Sequence, residues 1–101
     1  MRPPRGQLYH VAPASLRSRI ETEGVTAGSV TDDLREALAF AVFYGEVEPQ
    51  PWDLWEVRAE PHQLGPDEDY NRAGIDAAWA VLEPLPAVLY KPALAFAPDV
   101  R

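Results

Sequence analysis

Four places in this 101-residue chain hold side chains that could do chemistry. They are His10 in Leu8-Tyr9-His10-Val11, the hydroxyls Ser29 and Thr31 beside Gly28, the acids of Asp67-Glu68-Asp69, and the tryptophans Trp52, Trp55 and Trp79. An imidazole can donate from one nitrogen to a ligand hydroxyl or carbonyl while a backbone group holds the other. A carboxylate from residues 67–69 suits a cationic transition state such as the oxocarbenium-like centre of a breaking glycosidic bond. Ser29 and Thr31 can hydrogen-bond a ligand, and an indole can stack on a flat ring. Each group also has a plainer use: His10 as a half-buried core histidine, Thr31 as a helix cap, the acids as a wet turn, the tryptophans as core. No general base is spaced near Ser29, so nucleophilic serine chemistry has no support in the spacing. His62, in a Pro-Gln loop, reads as exposed, and two histidines so far apart make no metal motif.

The bulk composition narrows the partners. There are 16 acids against 9 bases, for a net charge of -7, and no cluster of Lys or Arg. Affinity for phosphate backbones rests on concentrated positive charge, so nucleic acid is not expected as a partner. The absence of cysteine excludes a disulfide framework, a thiolate nucleophile and a Cys-based zinc site. No apolar run approaches the ~20 residues of a membrane span. The first residues lack an apolar signal core, so a cytoplasmic protein without a membrane partner is expected. With 47% hydrophobic residues and eleven prolines, the chain reads as one globular domain of short elements, residues 1–6 being a flexible tail.

The elements that must position these residues follow from periodicity. Residues 7–11 read as a strand with Leu8 and His10 on one face and Tyr9 and Val11 on the other. Residues 14–23 read as a helix with Pro13 at its first position, Leu16 and Ile20 one turn apart, and Gly24 as C-cap. Thr31 is expected to cap a helix over 32–44, with Asp32 and Asp33 in its first turn, an apolar face of Leu34, Ala37, Leu38, Ala41 and Val42, and Gly45 as its stop. Residues 46–51 read as a loop and 52–58 as a strand with Trp55 and Val57 opposite Leu54 and Glu56. Residues 60–76 read as a long irregular loop of the kind that often carries function. Residues 77–82, 87–90 and 93–96 read as short closing strands bounded by prolines. This order predicts an α+β fold with a mostly antiparallel, split sheet and two N-terminal helices.

The order of the motifs resembles the ADP-ribosyltransferase-like fold, in particular the small rifamycin ADP-ribosyltransferases. Leu8-Tyr9-His10 is similar to that family's Tyr-Leu-His-Gly-Thr first strand, and the segment from Ser29 through Thr31-Asp32-Asp33-Leu34 to Ala37 is similar to its Tyr-Ile-Thr-x-x-Leu-x-x-Ala. Leu54-Trp55-Glu56-Val57 with the acids at 67–69 resembles the strand and loop bearing its catalytic aspartate. Ala78-Trp79-Ala80-Val81-Leu82-Glu83-Pro84 resembles its closing strand. The resemblance spans roughly residues 7–97. It implies NAD as co-substrate and a small-molecule or protein acceptor. It assigns ribose binding and catalysis to His10, charge stabilisation to Asp67 or Asp69, and cofactor contacts to Val11, Ser29, Thr31 and Trp79. Ser29 stands where the family has a tyrosine, Val11-Ala12 where it has Gly-Thr, and Ala80 where it has arginine. These departures leave a second reading, a non-catalytic binding protein on the same scaffold. A 2'-phosphotransferase role fits poorly with so few clustered arginines.

Overall fold

The computed structural model describes residues 3–74 and 77–94. Among them, β1 (Leu8–Pro13), β2 (Ser29–Thr31), β3 (Trp52–Val57), β4 (Leu64–Pro66), β5 (Ala78–Val81) and β6 (Ala87–Leu94) alternate with α1 (Arg17–Glu23), α2 (Leu34–Val47) and α3 (Glu68–Arg72). All six strands form one antiparallel sheet in the order β4-β5-β2-β1-β3-β6. The architecture is therefore α+β, but the sheet is continuous in its pairing and not divided. The expected division survives only as a thin join: β1 and β2 share a single register pair, Tyr9 with Thr31. At the N-terminus the Arg5 amide donates to Asp32 at 2.7 Å, so the expected tail is tethered at that residue.

Alternation along β1 and β3 builds two cores. Leu8, Ala12, Trp55 and Val57 join Ile20, Val30, Trp79 and Leu85 on one face. Val11, Trp52 and Leu54 meet Ala37 and Ala41 of α2 on the other. Asp53 is the exception on the first face: it has no exposed surface. Arg17 of α1 grips it with two hydrogen bonds, Nε to Oδ2 at 2.9 Å and Nη2 to Oδ1 at 2.8 Å. The Ala93 amide, from a residue at φ 47°, adds a third at 2.7 Å. Burial alone would raise the Asp53 carboxyl, but these donors outweigh it and hold the group below the usual carboxylate range.

Several boundaries differ from the sequence expectation for identifiable reasons. Pro13 stays in β1, paired with Trp52, and residues 14–16 form a 3-10 turn before α1, whose Leu16 is exposed while Ile20 is buried. Thr31 does not cap α2. Its pairing with Tyr9 and Ala78 keeps it extended, and the cap passes to Asp33, which accepts from the Arg35 amide at 2.9 Å. Gly45 does not stop α2 either. Trp52 stacks on Tyr44 and donates its indole N–H to the Glu48 carbonyl, contacts that outweigh the ~1 kcal/mol a helical glycine costs. Glu48 then turns extended ahead of Pro49. The face of α2 that is buried is Ala37 and Ala41 flanked by Leu34, Phe40 and Tyr44, leaving Leu38 and Val42 exposed.

The supposed loop over 60–76 holds a 3-10 turn (Pro61–Gln63), β4 and α3. β4 is edge-paired to β5, which lets Pro66 sit in a ladder without disrupting it. β6 runs unbroken through Pro92 because it too is an edge, with register shifts opposite Trp52 to Trp55 that absorb the ring. The part of the expected strand 93–96 that follows Leu94 lies outside the described residues, as do residues 75–76 of the expected loop.

Gly24 ends α1 at φ 79°, its N–H on the Ile20 carbonyl at 2.8 Å. A β-carbon there would stand 2.4 Å from the Leu85 carbonyl oxygen, which is itself bonded to the Val25 amide. Gly24→Ala is expected to cost about 2–4 kcal/mol, from backbone strain and overpacking together. Urea unfolding checks this; an unchanged midpoint would mean that the close approach of Leu85 is not needed for stability.

Candidate functional site

His10 lies where β1 and β2 part. One residue beyond the Tyr9–Thr31 pair, its Nδ1 meets the Ser29 carbonyl at 2.7 Å. A carbonyl only accepts, so Nδ1 carries the proton and the neutral ring leaves a lone pair on Nε2. Among the described residues Nε2 has no hydrogen-bond partner. Gly28, at φ 92°, passes so close that a β-carbon there would lie 3.2 Å from the ring Cε1. Its lack of a side chain makes room for the imidazole.

The half-buried ring is held mostly neutral. Burial lowers the His10 pKa from its ordinary value near 6.5, and the Ser29 bond offsets only part of that shift. The unfolded chain therefore takes up a proton before the folded one does. His10 contributes stability that is fully present above about pH 6.5 and lost as the pH falls through the folded value. Between pH 7.5 and 5.5 the wild type is expected to lose stability, by at most about 1.4 kcal/mol per pH unit for this one proton. His10→Asn, whose amide can still donate to Ser29, should flatten the pH dependence; an equal change of unfolding free energy between the two pH values in wild type and variant would refute the assignment.

An open cavity of about 210 Å³ lies beside the ring, lined by Tyr9, His10, Gly28, Ser29, Tyr44 and Trp52, with Val11 and Phe40. Its aromatic wall is ordered. Tyr44 stacks on Trp52, centroids 5.3 Å apart at 27°, and Phe40 stacks on Tyr70 at 4.7 Å and 27°. The hydroxyls of Tyr44 and Tyr70 share a hydrogen bond. Burial first, then that bond and the nearby acids, pushes the Tyr70 phenol well above its usual value, so it stays protonated.

The candidate residues from the sequence do not all converge here. His10, Val11 and Ser29 line the cavity. Asp67 does not line it but is bonded to a residue that does: the Ser29 hydroxyl donates to its Oδ2. Asp67 is only 8% exposed and caps α3, its Oδ1 accepting from the Tyr70 amide at 3.3 Å. Asp69 lies elsewhere. Its side chain is 91% exposed, 3.6 Å from Arg72 one turn along α3, because an N-cap at 67 turns residue 69 outward. Thr31 is buried within β2, where its hydroxyl accepts from the Asp33 amide at 3.1 Å and is not among the cavity's lining residues. Trp79 is 1% exposed in the core between Val30 and Pro66, also apart from the cavity lining. Sequence reasoning did not single out Phe40, Tyr44 or Tyr70. The spacing of Phe40 and Tyr44, one turn apart on a helix that leads into Trp52, was the available signal.

No group of three or more metal-ligating side chains occurs among the described residues, and none of their helices is long and apolar enough to cross a membrane. Comparison with protein-family models, curated proteins and solved structures gives no match.

Proposed function

We propose that the His10 cleft binds NAD or a related nucleotide and that the protein transfers ADP-ribose from NAD to a small-molecule or protein acceptor. The observation that supports this most is the pairing of an oriented imidazole with an aromatic wall. Nδ1 is fixed on Ser29, and Nε2 is left to accept from a ribose hydroxyl while a flat ring stacks against Tyr44 and Trp52. The motif order around His10 supports the same reading, and the wall offers ring contacts where Ser29 replaces the family's tyrosine. In this reading Asp67, through Ser29, supplies negative charge near the anomeric carbon as the bond to nicotinamide breaks.

Millimolar NAD should raise the melting temperature by several degrees in the wild type and not in His10→Ala. Free nicotinamide should then accumulate only with the wild type. An unchanged melting temperature would sink the reading. A second reading has its own support: both Asp67 oxygens already accept hydrogen bonds, from Ser29 and from the Tyr70 amide. A site built that way binds the nucleotide without turnover. It predicts the same thermal shift with no nicotinamide release.

A further inference from the structure

The aromatic cavity has no lysine or arginine among its lining residues. In a chain of charge -7, a phosphate-bearing ligand needs a cation from somewhere else. His10 also lines a second cavity of about 270 Å³, together with Arg19 and Ile20 of α1 and the turn formed by Gly24, Val25, Thr26 and Ala27. That turn is unusual in its donors. Val25 bonds to Leu85, but among the described residues the amides of Thr26, Ala27 and Gly28 donate to nothing. Successive free amides leading into a positive-φ glycine are donors available to an anion. Thr26, exposed, adds a hydroxyl. Arg19, 65% exposed, has only a loose contact from its Nε to Glu23 at 3.4 Å, which leaves its terminal nitrogens for a ligand.

We infer that this second cavity is an anion subsite that takes the phosphates of a nucleotide whose base and ribose occupy the aromatic cavity, the two halves meeting at His10. Arg19 and the amides of Thr26 and Ala27, which line it, supply the donors, with the Gly28 amide where the turn meets the aromatic cavity. Glu23 competes for Arg19 and is displaced when the phosphate arrives. The inference rests on the nucleoside reading of the aromatic cavity for the ligand's other half, while the anion subsite can be tested separately.

Calorimetric titration with nicotinamide riboside, nicotinamide mononucleotide and inorganic pyrophosphate tests it. In the wild type the mononucleotide should bind at least about tenfold more tightly than the riboside, the order expected for a charge-assisted contact. Pyrophosphate should compete with it, and the advantage should shrink as salt is raised. Arg19→Gln, at an exposed position that the fold tolerates, should cut most of the advantage while leaving the riboside unchanged. Glu23→Gln should widen it, an effect that general damage to α1 would not produce. Equal affinities for riboside and mononucleotide in the wild type, or an advantage undiminished in Arg19→Gln, would overturn the subsite and leave the nucleoside reading intact. Arg19-dependent pyrophosphate binding without riboside binding would uphold the subsite and overturn that reading. Binding by none of the three probes overturns both.

Discussion

Arg17→Met is expected to lower the unfolding free energy by about 3–5 kcal/mol at neutral pH, because it leaves the Asp53 carboxylate buried with only the Ala93 amide as a described partner. The pH dependence identifies the cause. In the wild type the Asp53 pKa is held down, so the group stabilises the fold above the normal carboxylate range, and this stabilisation is lost as the pH falls through the folded value. Without Arg17 the folded-state carboxyl should titrate above its unfolded value, and acid then neutralises an unpaired charge. The gap between wild type and variant should therefore narrow from pH 7 toward pH 4 in urea unfolding. A gap independent of pH would show that Arg17 acts through packing of its stem and not through charge. The double variant Arg17→Met/Asp53→Leu should recover a large part of the loss, since an apolar pair of similar volume often replaces a buried ion pair without cost.

The second large effect concerns Trp79. Trp79→Ala should cost about 3–5 kcal/mol, the usual range for emptying an aromatic site in a core. Trp79→Phe should cost less and leave nucleotide affinity as in the wild type. This separates the two roles open to the residue from its sequence. A Trp79→Phe variant of unchanged stability that no longer responded to NAD would return Trp79 to the ligand site. Tyr44→Leu should behave in the opposite way, losing the response to NAD more than it loses stability, because Tyr44 faces the cavity.

The contrast between Trp79 and Tyr44 marks how far this sequence could be read. Local alternation carried the strands well. Leu8 and Val11 fall on opposite faces of β1, and Trp55 and Val57 pack away from Leu54, as their spacing implied. The mixed α and β order and the antiparallel pairing were also legible. Helix limits were not, because long-range contacts decide them. Nothing local says that Trp52 will hold the last turn of α2 past Gly45, or that pairing on both sides will keep Thr31 extended. The run at 66–70 misled in another way. An Asp followed by two acids and a tyrosine has the form of a capped helix start, but its prolines and charges suggested a loop. Of the residues proposed for the site, His10, Val11 and Ser29 reach the cavity and Asp67 adjoins it. Thr31 and Trp79 share their strands' alternation with core positions, and burial claimed them. The aromatic wall depended on α2 lying over β1 and β3, a matter of packing that periodicity alone does not encode.

The single rung between β1 and β2 has a mechanical consequence. Strands β4, β5 and β2 form one block and β1, β3 and β6 another; beyond Tyr9 and Thr31 the two strands at the seam are joined by the side-chain bond from the His10 imidazole to Ser29, with Arg5–Asp32 and Val25–Leu85 bridging the flanking segments. The side chain that would greet a ligand is thus also a stitch between two leaves of the sheet. A ligand hydroxyl donating to Nε2 polarises the ring and tightens that stitch, and removing the ring undoes it, so occupancy of the cleft and rigidity across the seam are expected to rise and fall together.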